Sequence, residues 1–347
     1  MGTLESIVER HRAFWRRENR EPLLAELPHP GWEKKPYPLS GGRVARDPTR
    51  LMPGDVDIDR LFGADHLTQK SHTGDFIHGV KTVYPVAYME SLIGCPIYAG
   101  DTSCYARPCE SESTQIGDSH EVRIDEEWRT VLDTVVLRAV ELAQGRFPAL
   151  QLHLRGTVDM VAAYLGEERM CLGMFDDPAA LSKLVGRFTD LYIETALRGQ
   201  AQRPPWQRGY VSSWGIYSPE PILDYQVDAT SILSLKQYET FFRARDREIL
   251  SRFATSVVHL HSCGLHIAPA IADISRGKAV EISLDREAGA FHIDEILEVS
   301  RMLLERDVRV IIHGELYLNE VDEMLESISP SGVAIFYWKP KPGEVTR

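Results

Sequence analysis

His261, Ser262 and Cys263 place an imidazole and a thiol two residues apart in the run SVVHLHSCG. Alternate residues of a strand leave the same face, so both groups point one way if the strand continues to Cys263. A thiolate and an imidazole make half of a tetrahedral zinc site. Asp285 ends the run AVEISLD and is the natural third ligand, and His313 or Glu315, in VRVIIHGEL, can supply the fourth. Zinc held there would stabilise the thiolate, or leave one position open for a substrate thiol. The plainer reading of the same residues is a satisfied core histidine beside a small buried thiol.

Other residues extend the candidate site. His153 and Arg155 alternate in ALQLHLRG and share a face. Arg155 can grip a substrate carboxylate bidentately or form a structural salt bridge, and His153 shares its fate. Asp228 either orients a ligand or caps the helix that follows, for which Ser234 is the expected N-cap. Trp214, Tyr217, Tyr337 and Trp338 can wall a flat ligand or pack as core. Tyr88 and Glu90 are weaker candidates. Cys95, Cys104, Cys109 and Cys171 show no partner spacing and read as ordinary thiols.

These residues need elements to hold them. From about residue 125 onward, short apolar runs alternate with helix-period segments such as EEWRTVLDTVVLRAVELAQG and HIDEILEVSRMLLERD. ALQLHLRG, GYVSSWG, SVVHLHSCG, AVEISLD, VRVIIHGEL and GVAIFYW read as strands. That alternation implies parallel strands with crossover helices, and the dense succession near the end favours a closed TIM (β/α)₈ barrel over an open sheet. Barrel chemistry lies at the C-terminal strand ends, where His153, Arg155, His261, Cys263, Asp285, His313 and Glu315 fall. Residues 4–20 read as a polar helix and Pro22–Gly54 as an arm. Residues 1–60 are therefore expected to be an N-terminal extension wrapping a barrel of residues 61–347.

Of 347 residues, 43% are hydrophobic and 26% charged, enough for a large core and against general disorder. A formal net charge of −12 argues against a nucleic-acid surface, which demands clustered cations. No run approaches the length of a membrane span, and the charged start lacks a signal-peptide core. Five irregularly spaced cysteines suit reduced thiols. The expectation is a soluble, cytoplasmic protein.

At these residues the chain resembles the uroporphyrinogen decarboxylase-like superfamily of decarboxylases and zinc-dependent corrinoid methyltransferases, over roughly residues 80 to 338. LHSCG is similar to the L-H-x-C-G zinc motif of the corrinoid methyltransferases, and AVEISLD resembles their strand ending in an acid. LRGTVDMVAAYLGEERM with DDPAALSKLVGRFTDLYIE resembles the family's mid-region pattern. VDATSILSLKQYETFF matches the family's D-x-S-x-x-x-S-P-x-x-Y-x-x-F run, with Leu235 in place of Pro. The chain lacks the Arg-Gln-Ala-Gly-Arg segment of the true decarboxylases, and GVAIFYWKPKPGE lacks the later cysteine of the methyltransferases. The resemblance implies a barrel enzyme of zinc-assisted methyl transfer, with His261, Cys263, Asp285 and Glu315 as metal ligands and a thiol or corrinoid as methyl carrier. A corrinoid-binding protein partner and a homodimer belong to the same expectation. The alternatives are a metal-free decarboxylase or lyase, with His153 and Arg155 anchoring a carboxylate and Asp285, His313 or Glu315 moving protons, and a non-catalytic corrinoid- or tetrapyrrole-binding barrel.

Overall fold

Six strands form one parallel sheet: β1 (Leu23–Glu26), β2 (Ile222–Gln226), β3 (Thr255–His261), β4 (Ala279–Ser283), β5 (Arg309–Glu315) and β6 (Val333–Trp338). The structure is a computed structural model that describes residues 3–28, 36–62, 73–100, 103–109, 122–286, 289 and 291–340. In space the strands run β1-β6-β5-β4-β3-β2, every neighbouring pair parallel.

The register sorts the side chains into two faces. Val258 and Leu260 of β3, Val280 and Ile282 of β4, Val310 and Ile312 of β5, and Ile335 of β6 share one face and are buried in the main core. Helices cover it. Helix Ile293–Glu305, for example, buries Ile296, Leu297, Ser300, Leu303 and Leu304, a stripe at helical spacing. The other face begins apolar, with Leu23, Ile222, Val257, Ala279, Ile311 and Ala334 in a second cluster. Two residues further along the strands it turns polar, at Asp224, His259, Glu281 and His313. A parallel sheet covered on both faces normally reads apolar throughout. Polar side chains at alternate positions therefore set this part of the sheet apart as the candidate site.

Among the described residues no continuous ladder closes the sheet into a ring. Two segments continue it by single contacts. Isolated parallel bridges join Val80 to Ala149 and Arg155 to Gln226, and the Asp75 N–H donates to Leu24 O at 3.0 Å. Gly156 makes the second bridge geometrically feasible: its N–H donates to Gln226 O at 3.0 Å, and a Cβ there would lie 2.2 Å from that oxygen.

Several sequence expectations change here. ALQLHLRG has backbone bridges only at its ends, and Gln151 between them exchanges side-chain hydrogen bonds with the Asp224 N–H and carbonyl. In GYVSSWG only Tyr210–Val211 is a strand, and it pairs antiparallel with Tyr217–Ser218 outside the main sheet. The sheet strand of that region is Ile222–Gln226, whose polar Asp224 and Gln226 alternate with Leu223 and Tyr225. Leu23–Glu26, within the expected wrapping extension, pairs with β6 and is an edge strand of the sheet. A four-residue strand is too short for its alternation to stand out from a loop. Residues 29–35 of the expected arm lie outside the described residues. Helix Leu4–Arg16 forms as expected, with the Thr3 side chain accepting from the Ser6 N–H. Among the described residues no helix is long and apolar enough to cross a membrane, and all five cysteines are free.

Candidate functional site

His259 and His261 leave β3 on its polar face, and each ring is held at Nδ1 by a carboxylate from the next strand. Glu281 faces His259 across the β3–β4 register, and its Oε2 accepts a short hydrogen bond from His259 Nδ1. Asp285, just past the end of β4, accepts from His261 Nδ1 at 2.8 Å and from the Ser262 hydroxyl at 3.2 Å. Glu281 also reaches His313 of β5, Nδ1 to Oε1 at 3.3 Å. With both Nδ1 positions committed, the two Nε2 atoms converge, 3.1 Å apart.

Asp228 closes the triangle. It begins the turn Asp228–Ile232 after β2. Its Oδ1 stands 3.6 Å from His259 Nε2 and 3.8 Å from His261 Nε2, is buried, and accepts no hydrogen bond. The other oxygen faces Arg155 at 3.6 Å, and Arg155 also pairs with the fully buried Glu90 at 3.1 Å.

This donor set fits a divalent metal. Zinc with ligands at about 2.0–2.2 Å in a tetrahedron separates them by about 3.3–3.6 Å, close to the three distances here. Imidazoles anchored at Nδ1 by carboxylates, with Nε2 turned inward, are the usual outer shell of a metal-binding histidine. A buried carboxylate oxygen without a donor wants a cation. Asp228, His259 and His261 are the group of metal-capable atoms that the described residues bring together.

Charge in the metal-free protein follows from the same contacts. Burial opposes protonation of His259, but the charge and hydrogen bond of Glu281 outweigh it and raise its pKa to about 9. Protonated His259 donates at Nδ1 to Glu281 and at Nε2 to His261, so a proton occupies the place a metal would take. The hydrogen bond to Asp285 raises His261 above its usual value. Burial works against ionised Glu281, yet His259 and His313 pull it down to about 2.

Neither a protein-family model nor a curated protein matches the chain. Among solved structures it is similar to a methyltransferase from Methanosarcina mazei, at a TM-score of 0.57 and 12% identity, over 95% of this chain and 92% of that one. That likeness is one of fold.

The residues singled out in the sequence fall in different places. His261 is in the triangle, and Asp285 stands behind it on Nδ1. Cys263 is exposed: β3 ends at His261, and the chain turns into the helical turn Ser262–Ile267, which breaks the alternation that would have aligned the thiol. Partial burial and then the Asp285 charge raise the Cys263 pKa, favouring the thiol. Glu315 faces Arg286 at 3.7 Å. Tyr337 leaves β6 on the helix-covered face, and Trp338 takes the polar side, its ring 5.3 Å from His313. Trp214 is buried and stacked on His259 at 5.3 Å and on His153 at 6.1 Å. His153 and Arg155 part company, Arg155 to Glu90 and Asp228 and His153 to Trp214.

Sequence reasoning missed His259 and Glu281. The signal was present: the HLH alternation puts His259 on the face of His261, and Glu281 interrupts an otherwise apolar strand. Beside the triangle opens a cavity of about 480 Å³, lined by Arg155, Asp159 and Asp228 together with Tyr105, Pro108 and Ala162. Burial, then the charge of Asp228, raises Asp159 to about 7, where a carboxyl can give or take a proton near neutrality.

Proposed function

We propose that the chain is a zinc-dependent enzyme of methyl (one-carbon) transfer, with Asp228, His259 and His261 as the metal ligands. The observation that carries this reading is the convergence of two Nδ1-anchored imidazoles on a buried carboxylate oxygen that no donor satisfies. When bound, zinc supplies positive charge that lowers the pKa of a substrate thiol and leaves a position open for it. Glu281 and Asp285 fix the two rings and their tautomers. Arg155 turns Asp228 toward the rings, and Trp214 packs against His259. Asp159 holds the backbone N–H groups of Gly156 and Ala229 and so seats Asp228 beside the cavity. Cys263 and Glu315 stand outside the ligand set in this reading.

The finer fold reading is a (β/α)₈ barrel. The bridges at Val80–Ala149 and Arg155–Gln226 support it, since they carry the sheet through two further segments toward β1. A small-molecule substrate, a methyl carrier of the corrinoid type on a partner protein, a homodimer and a cytoplasmic location complete the proposal; free cysteines suit the last.

The test is metal analysis of the purified protein, followed by a methyl-transfer assay with methylated corrinoid and a panel of thiols. About one zinc per chain and thiol methylation are expected. A protein that takes up no zinc when zinc is supplied defeats the reading. A metal-free decarboxylase or lyase would then be favoured by one observation, the pairing of His259 and His261 with the carboxylates of Glu281 and Asp285, which favours their charged forms. Corrinoid binding without turnover would point to a binding barrel.

A further inference from the structure

Ile97–Ala99 and Cys104–Ala106 are antiparallel strands outside the main sheet. Beyond their register the two chain segments stay together. The Arg107 N–H donates to Pro96 O at 2.9 Å, and the Cys109 thiol donates to Gly94 O at 3.7 Å. Cys95, next to that glycine, is buried in the main core and donates its own S–H to the Cys109 sulfur. Two thiols are thus in contact, one enclosed and one half-buried. The spacing of the cysteines along the chain carries no sign of this, because strand pairing brings them together.

The two sulfurs are not equivalent. The bond it donates, and then burial, raise the pKa of Cys95. The same bond lowers that of Cys109, against burial and with help from the Arg169 charge. Cys104, Cys171 and Cys263 are all shifted upward. A half-accessible thiol that favours its ionised form, beside a second thiol that keeps its proton, is the arrangement of a redox pair. The pair also borders the candidate site. Tyr105, Ala106 and Pro108 line the cavity beside the triangle, and the Cys109 N–H donates to Tyr164 O at 3.1 Å. The Cys95 N–H donates to Glu90 O at 3.0 Å, and Glu90 holds Arg155.

We propose that Cys95 and Cys109 are a redox-active pair, oxidised to a disulfide by small-molecule disulfides of the glutathione type, and that the bond fastens this wall of the cavity to the segment carrying Glu90. The Cys109 thiolate attacks one sulfur of the oxidant and expels a small thiolate, leaving a mixed disulfide. Cys95 then gives up its proton, attacks the Cys109 sulfur and expels the second small thiolate. Two electrons pass from the protein thiols to the oxidant, and the two protons they lose end on the two released thiols. The reaction needs no metal and does not rest on the proposed function.

The test incubates the full chain with oxidised and reduced glutathione at a series of ratios, blocks the remaining thiols in acid, and maps the peptides by mass spectrometry. A Cys95–Cys109 link is expected, reversed by dithiothreitol, with a loss of about 2 Da, one hydrogen from each thiol. It should exceed the glutathione adduct at Cys109 by about tenfold or more, because the second attack is intramolecular. Cys95→Ser should stop at that adduct, Cys109→Ser should form no link from Cys95, and Cys263→Ser should form the link as wild type does. The wild-type map decides even if Cys95→Ser, which puts a hydroxyl in the core, folds poorly. A wild-type chain without the link at every ratio would overturn the proposal. So would a preferred link between two other cysteines, or an adduct that persists at Cys109 beside a free Cys95.

Discussion

His259 and Glu281 occupy the same register position on neighbouring parallel strands, so their side chains leave the sheet side by side. Glu281 is fully buried, flanked in its strand by Val280 and Ile282, and is ionised by what it holds. Glu281→Gln keeps the shape and removes the charge that orients and polarises the His259 ring. Zinc affinity should fall by about 10- to 100-fold, the usual effect of losing such an outer-shell carboxylate. Competition with a fluorescent chelator measures this. An unchanged affinity would mean that His259 does not bind metal through Nε2.

The ligand set separates by mutation. His259→Ala and Asp228→Asn should abolish stoichiometric zinc, because each removes a vertex of the triangle. Cys263→Ser should retain it, since the exposed Cys263 lies past the end of β3, its thiol beside Asp285 and outside the triangle. Mass-spectrometric metal counts on the three variants decide the matter, and loss of zinc in Cys263→Ser would restore the thiol to the ligand set.

Asp246 makes stability depend on pH. It is buried and accepts hydrogen bonds from the hydroxyls of Tyr225 and Tyr238, yet burial still pushes its carboxyl up to about 6. A raised folded-state pKa means the folded protein holds this proton more tightly than the unfolded chain. The contribution is therefore complete below about pH 4 and is lost as pH rises through about 6, on the order of 2–3 kcal/mol. Asp246→Asn removes this loss, so its urea-unfolding free energy should gain on that of wild type as pH rises from about 4 through 6, and the difference should hold constant above that window. Asp224, shifted in the same direction, should leave part of the dependence in place. Parallel pH profiles for the two proteins would refute the assignment.

Gly156 tests the contact that carries β2 to its neighbour. A methyl there meets Gln226 O at 2.2 Å and the Tyr225 ring at 2.9 Å. The segment must move away, taking Arg155 with it. Gly156→Ala should destabilise by about 1–3 kcal/mol and, by displacing the partner of Asp228, weaken zinc binding. Chemical denaturation and the chelator assay report the two effects separately. Wild-type values in both would show that the 149–156 segment is not seated against β2.

Much of the frame is legible in the pattern of residues. The alternation of β3 to β6 with their helices implies a parallel sheet and tells which strand ends carry His261, His313 and Glu315. The placement of Glu26, Asp224 and Arg155 is harder to read, because β1 is short, β2 is half polar, and the 149–155 segment has bridges rather than ladder.

Local periodicity by itself determined which residues of one strand share a face, and so already set His259 beside His261. Only the tertiary structure decided what meets them. Strand order and register bring Glu281 from β4 and Asp228 from the turn after β2 to the same point. The end of β3 at His261 leaves Cys263 beside Asp285 and outside the triangle. Hydrogen bonds between strands set those positions, and they join residues far apart in sequence whose local patterns carry no record of the pairing.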